Sequence, residues 1–310
     1  MWQQYLQLIQ QGDIKALARC ISLVENEVSG YQSLMQSLPP SHTPVIGITG
    51  PPGAGKSTMV DALIERMVLQ QKKVAVLCID PSSPFNLGAL LGDRIRMSDW
   101  YNNPDVYIRS LATRGSLGGL HPKIIEIADL LKAAPFDYII VETVGVGQSE
   151  IEIAGLADVT IVTLVPEAGD EVQTMKAGLM EIGDIFVVNK SDRPDADVFV
   201  KNLRMMLAPA LNPHLLKGSS SCVSIIKTVA TKKEGINELF NAVNEKIAAL
   251  NEAGATVNNR RSWLLAEKAF YLIQQKRMAD VKKTELKNEI EGAGNNFNLY
   301  QFIQNYQQWK

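Results

Sequence analysis

Chemistry that depends on sulfur or imidazole has little to work with in this sequence. There are three cysteines, Cys20, Cys78 and Cys222, far apart and with no CxxC pair. That spacing excludes a disulfide framework or a structural zinc site and fits a reducing compartment. The three histidines, His42, His121 and His214, show no metal-ligand spacing, so Ser-His-Asp chemistry is a poor starting point. No apolar run approaches the roughly 18–20 residues of a membrane span. The opening MWQQYLQLIQQGD has no basic stretch ahead of a long apolar core and no Arg- and Ser-rich character, so no leader is read there. A net charge of −2 gives no global attraction to nucleic acid or an anionic membrane. The expectation is a cytoplasmic protein.

What is present is globular material. Of 310 residues, 46% are apolar and 21% charged, enough to build a core and too apolar for disorder. Residues 1–38 read as helices. Tyr5, Leu6, Leu8 and Ile9 precede Gly12-Asp13, and Ile14, Leu17, Ala18, Ile21 and Val24 follow at helical spacing, with Asp13 placed as an N-cap. Pro39-Pro40 ends the region. From Pro44 short β-branched runs alternate with helical segments: 45–49, 74–79, 106–108, 138–141, 159–165, 185–188 and 224–229. Runs apolar on both faces suit a buried parallel sheet, and strand–helix alternation gives a doubly wound α/β fold. After about Gly254 the strands stop. Segments 259–280 and 284–308 read as helices with a basic bias, including Arg260, Arg261, Lys268, Lys276 and Arg277, taken as a solvated face. The expected division is a helical extension over 1–43, an α/β domain over 44–254 and a helical region over 255–310.

One motif dominates. Gly50-Pro51-Pro52-Gly53-Ala54-Gly55-Lys56-Ser57 is a full GxxxxGK[ST] match between a strand over 45–49 and a helix over 57–70, with Thr58 next in line. Glycines let backbone N–H groups turn inward around phosphate oxygens, and the helix N-terminus adds its dipole. Lys56 supplies a positive charge for the β- and γ-phosphates, and the Ser57 hydroxyl suits Mg²⁺. Such a site needs acids at strand ends. Asp80 closes the run 74–79. Glu142 closes the run 138–141, with Gly145 three residues on, a pattern like the Asp-x-x-Gly of a GTPase switch. Asp93 lies in a long Gly- and Pro-containing loop and is the weaker candidate on sequence.

Asn189-Lys190-Ser191-Asp192 is an NKxD element at the end of the run 185–188. The aspartate can accept from guanine N1–H and N2–H₂. Adenine would leave it unpaired in a desolvated pocket, a mismatch of roughly 1–3 kcal/mol. The purine is therefore read as guanine, and the ligand as GTP or GDP with Mg²⁺. Val229-Ala230-Thr231 stands where GTPases carry a Ser-Ala-x loop against the base. With valine for serine, only backbone contacts, notably from Ala230, are expected there.

Together IDPSSP (79–84), GDRIRM (92–97), ETVGVGQSE (142–150), GDEVQTMKAGLMEIGD (169–184) and NKSD (189–192) resemble the MeaB/ArgK family. These are the methylmalonyl-CoA mutase-associated GTPases, a branch of the SIMIBI class of P-loop proteins. The resemblance covers essentially the whole chain. It implies a P-loop NTPase fold with a C-terminal helical dimerisation arm, and a homodimer. It implies a chaperone that gates cofactor loading and protects an adenosylcobalamin-dependent mutase, timed by GTP hydrolysis. It also implies Mg²⁺ ligation involving Ser57, Asp80, Asp93 and Glu142, and a further switch over 167–180 carrying Lys176. Lys56, Glu142 and Lys176 are the residues expected to carry hydrolysis. No glutamine directly follows Gly145, and Gln148 is displaced, so slow intrinsic turnover stimulated by the partner is expected. Arg94, Arg96 and Arg109 are each read as surface ion-pair residues, and Asp170-Glu171 as a helix N-terminal charge pair. The rival readings are a SIMIBI metallochaperone, disfavoured by the lack of His-rich or CxC tracts, and an ATPase or kinase linked to basic amino-acid transport.

Overall fold

The computed structural model describes residues 2–80, 97–113, 120–145, 149–166, 177–211, 223–252, 259–277 and 286–288. Among them are seven strands: β1 (Val45–Thr49), β2 (Val74–Asp80), β3 (Val106–Ala112), β4 (Tyr138–Glu142), β5 (Val159–Leu164), β6 (Ile185–Val188) and β7 (Ser224–Lys227). All pair in parallel, in the order β3-β2-β4-β1-β5-β6-β7. Every residue of β1, β2, β5 and β6 is buried, because crossover helices cover both faces of the sheet.

The period of two in each strand sorts side chains to two cores. On one face Ile46, Ile48, Val76, Ile140, Ile161 and Val187 meet Met59, Leu63, Leu239, Phe240 and Val243. Those partners come from α4 (Lys56–Leu69) and from α9 (Ile236–Glu252). On the other face Val162, Leu164, Phe186 and Val188 meet Ala154, Leu179, Ile182, Phe199 and Leu203. These belong to α6 (Ser149–Leu156), α7 (Ala177–Ile182) and α8 (Ala196–Leu211). Each fully buried aliphatic side chain contributes on the order of 1.5–3 kcal/mol.

Ahead of the sheet stand α1 (Trp2–Gln10), α2 (Ile14–Glu25) and α3 (Tyr31–Gln36). Asp13 caps α2 as its position suggests, its carboxylate accepting from the Ala16 N–H at 2.9 Å. Ile9, Leu17, Ile21, Val24 and Leu34 are buried, and α2 packs on α5 (Ile124–Lys132). Strand β3 runs four residues past the apolar run 106–108, to Ala112. Arg109 and Ser110 break the apolar pattern, yet β3 is an edge strand and the Arg109 guanidinium finds partners outside the sheet. Arg109 pairs with Glu25 and reaches Ser22 Oγ at 3.2 Å, so it serves the docking of the N-terminal helices.

The chain divides into two compact units, residues 1–261 and 262–310. The N-terminal helices lie in the same unit as the sheet. The helix α10 (Asn259–Arg277) crosses the division. Its first turn is not a solvated basic face. Arg260 donates to the carbonyls of Glu181 and Ile182 at 2.6 and 2.8 Å, and Arg261 lies 3.6 Å from Asp158. In the second unit Trp263, Phe270, Tyr271 and Ile273 are exposed.

Candidate nucleotide site

The site forms at the carboxyl edge of the sheet, where open α/β folds bind ligands. Strand β1 feeds the phosphate loop, and α4 begins at Lys56. Lys56 is buried, and its ammonium donates to the Gly50 and Pro51 carbonyls at 2.9 and 3.1 Å. The lysine is thereby folded back across the loop at the place where phosphate oxygens would otherwise accept from it.

Backbone conformation explains two of the glycines. Gly50 has φ +139°, and a Cβ there would lie 2.1 Å from the Thr163 carbonyl oxygen. Gly145 has φ +88°, and a Cβ there would lie 2.3 Å from the Gly50 oxygen and 2.5 Å from Lys56 Nζ. The segment after β4 therefore lies directly on the phosphate loop, and only glycine allows that approach.

Strand order decides where the acids stand. Glu142 ends β4, the direct neighbour of β1, and registers with Ile48 on one side and Cys78 on the other. Its Oε1 accepts from the Ser57 hydroxyl at 2.7 Å. Asp80 ends β2, one strand further out, and its carbonyl accepts from the Thr113 N–H at 3.1 Å. Both carboxylates are 2% exposed. The hydroxyl of Ser57 and two buried carboxylates at one sheet edge are the hard oxygen donors that suit Mg²⁺. Asp93, Lys176, Gln148 and the acids Asp170 and Glu171 lie outside the described residues.

The second half of the site is organised by Asn189, 3% exposed. Its Nδ2 donates to the Ala54 carbonyl at 2.9 Å, while its Oδ1 accepts from Thr228 Oγ1 and from the Ala230 N–H, both at 3.1 Å. One side chain thus joins the phosphate loop to the turn 230–232 after β7. Lys190 takes a left-handed φ of +55°, a conformation costing roughly 1–2 kcal/mol for a non-glycine residue. Ser191 N–H then reaches the Thr228 carbonyl at 3.0 Å, and Asp192 stands exposed at the rim. Lys232 bonds to Asp192 Oδ2 at 3.1 Å, and that hydrogen bond holds its ammonium above the ordinary lysine range.

Comparisons with known proteins converge on this architecture. The family model described as methylmalonyl Co-A mutase-associated GTPase MeaB matches residues 17–285. The chain belongs to the MeaB family of GTPases. A Pyrococcus horikoshii relative with an inferred GTPase name is 44% identical over 261 residues, spanning 84% of this chain and 82% of its own. GTPase ArgK of Escherichia coli is 37% identical over 252 residues, spanning 79% and 76%. A solved structure titled as a LAO/AO transport system kinase superposes with a TM-score of 0.68 at 27% identity, covering 98% of this chain and 95% of that one.

Within this MeaB-family chain the structure brings together Gly50, Lys56, Ser57, Gly145 and Glu142 on the phosphate side, with Asp80 at the end of β2 one strand further out. It places Asn189, Lys190, Asp192, Val229, Ala230 and Thr231 on the other. The Ala230 amide, expected from sequence to face the base, donates to Asn189. Sequence reasoning missed two threonines. Thr228 holds Asn189, and Thr143, next to Glu142, shares a 2.9 Å hydrogen bond with Thr49 at the end of β1. Thr143 directly follows β4 and Thr228 directly follows β7, and both side chains are buried at the sheet edge. Among the described residues no helix is long and apolar enough to cross a membrane.

Proposed function

We propose that this GTPase is a nucleotide-timed chaperone of an adenosylcobalamin-dependent mutase of the methylmalonyl-CoA mutase type, acting in the cytoplasm. The observation that carries this reading is the family match over residues 17–285, whose description names the mutase. The residues of the site support a division of labour. Gly50 to Thr58 cradle the phosphates through backbone N–H groups and the α4 N-terminus. Lys56 exchanges its carbonyl partners on the loop for β- and γ-phosphate oxygens. Asp192 selects guanine, with Lys190 along the base plane and 229–231 beneath it.

Ser57, Asp80 and Glu142, with Asp93, are the residues proposed to hold Mg²⁺. The 2.7 Å contact between Ser57 Oγ and Glu142 Oε1 supports their convergence on one ion. When bound, Mg²⁺ supplies charge neutralisation at the phosphate oxygens. Gly145 lies against Lys56 and Gly50, so a change at the phosphates is felt at once by the segment that leaves β4. Glu142 links that segment to Ser57, and this is how occupancy of the loop is transmitted outward.

Hydrolysis in the isolated chain is proposed to be slow. Docking of the mutase brings the 167–180 segment, with Lys176, to the γ-phosphate, where a positive charge stabilises the transition state. The exposed Trp263, Phe270, Tyr271 and Ile273 on α10 support a homodimer built on the C-terminal helices, since apolar patches of this kind mark interfaces.

The test is capture of partners on the immobilised chain with GDP and with a non-hydrolysable GTP analogue. A cobalamin-dependent acyl-CoA mutase should be retained in a nucleotide-dependent way, and should raise GTP turnover. Lys176→Ala should lose that stimulation while keeping GTP affinity. Retention of no such mutase, or full-speed turnover by the isolated chain, would overturn the reading. Equal binding of ATP and GTP would favour the transport-kinase reading instead.

A further inference from the structure

A second polar cleft lies at the opposite edge of the sheet from the phosphate loop. It has a volume of about 130 Å³, several times the roughly 30 Å³ share of one liquid water. Pro44 leads into β1 and Asp158 into β5, so the cleft opens at the amino ends of the strands. Lys132 ends α5, and Ile247, Leu250 and Asn251 come from the last turns of α9. Arg261 stands in the first turn of α10, and His42 on the segment before β1.

The cleft is rich in donors and short of acceptors. Among the described residues Lys132 has no carboxylate within 4 Å and makes no hydrogen bond, and neither His42 nor Asn251 makes one. Arg261 has only the 3.6 Å ion pair with Asp158. Asp158 Oδ2 in turn accepts from the Val45 N–H at 2.8 Å. The hydroxyls of Ser41 and Thr43 bond to each other, and Thr43 donates to the Phe136 carbonyl. Two cations therefore line the cleft beside one carboxylate that is already engaged, while Asp129 on α5, outside the lining, attracts both without bonding to either.

The carbonyl ends of α5 and α9 give a local reason for cations at this edge. Yet neither Lys132 nor Arg261 bonds to those carbonyls, so their donors point elsewhere. Burial and the Arg261 charge push the Lys132 ammonium below the ordinary lysine range. An anion seated between the two would relieve that repulsion. Pro44, Ile247 and Leu250 supply the apolar part of the lining.

We propose that this cleft is a binding site for a small monocarboxylate with a short apolar body. Its carboxylate sits between Lys132 and Arg261, with the Asn251 amide as a further donor, and its hydrocarbon part lies on Ile247 and Leu250. Among the described residues the Lys132 ammonium and the Asn251 amide have no hydrogen-bond partner of their own, and the planar Arg261 guanidinium suits a planar carboxylate. The apolar lining residues favour a carboxylate with a tail over a bare oxyanion.

The test uses the full chain saturated with GDP and Mg²⁺, so that the phosphate loop is filled. Sodium butyrate, acetate and phosphate are titrated at constant ionic strength and followed by calorimetry. Saturable butyrate binding is expected, tighter than acetate and tighter than phosphate. Lys132→Met and Arg261→Gln should each weaken it about tenfold, the loss of one charge-assisted hydrogen bond. Asn251→Ala, on an exposed side chain, should weaken it less and keeps the test open if a charge variant folds poorly. GDP affinity should not move in any variant. No saturable butyrate binding, phosphate binding at least as tight as butyrate, or variants that bind like the parent would each overturn the proposal.

Discussion

Replacing Asn189 with alanine removes three hydrogen bonds at once: to the Ala54 carbonyl, from the Thr228 hydroxyl and from the Ala230 N–H. Each is worth about 1 kcal/mol net, and the side chain is buried, so its former partners gain no water in exchange. A loss of about 3 kcal/mol is expected. For a chain of this size that lowers the thermal midpoint by about 6–12 °C. Urea unfolding gives the free energy, and the slope with denaturant should stay as in the parent, because the amount of surface exposed is the same. The phosphate loop and the base turn would also lose their common anchor. GDP affinity should therefore fall by tenfold or more, measured at a temperature where the variant is folded. A loss below about 1 kcal/mol with unchanged GDP affinity would refute the view that this side chain holds the two halves of the site together.

Gly145→Ala places a methyl 2.3 Å from the Gly50 oxygen and 2.5 Å from Lys56 Nζ. The variant should fold, bind GTP at least tenfold more weakly by calorimetry and turn over more slowly, and near-parental affinity would contradict the close approach. Lys56→Ala should abolish tight GTP binding. Asp129 responds to pH. Burial raises its carboxyl above the ordinary value of 3.8, against the opposing pull of Lys132 and Arg261. A carboxyl raised on folding leaves stability untouched below its unfolded value and lowers it as pH climbs from there through the folded value. Asp129→Asn should therefore gain stability over the parent between about pH 4 and pH 7 in paired urea titrations, and an unchanged difference at the two pH values would refute the assignment.

Much of this fold is written in local pattern. The runs at 45–49, apolar up to Thr49, and 185–188 end where the strands end, because burial on both faces favours apolar side chains up to the sheet edge. Asp13 is found as a cap because capping acts over three residues. The extent of β3 is hidden for the opposite reason: Arg109 and Ser110 look like a loop until Glu25, 84 residues earlier in the chain, supplies a partner. The same holds for Arg260 and Arg261, whose partners at 158 and 181–182 become neighbours only once the sheet is assembled. In the site, Lys56, Ser57 and Asp192 announce themselves through short motifs whose spacing is fixed by one turn of backbone. Thr143 and Thr228 do not, since their roles arise from strand register. The order β2-β4-β1 also sets Glu142 beside the loop and Asp80 one strand away, a ranking the sequence leaves open.

The central claim is that Asp192 reads the guanine while the Lys56 loop grips the phosphates, and it can be tested by exchanging one atom of the carboxylate. Affinities of the parent and of Asp192→Asn for GTP, ATP and XTP are measured side by side by calorimetry with Mg²⁺ present. The parent should prefer GTP over both, and the variant should lose GTP by tenfold or more while gaining XTP, whose 2-oxo group accepts from the new amide. A parent that binds ATP as well as GTP, or a variant whose preference does not move toward XTP, would contradict the account.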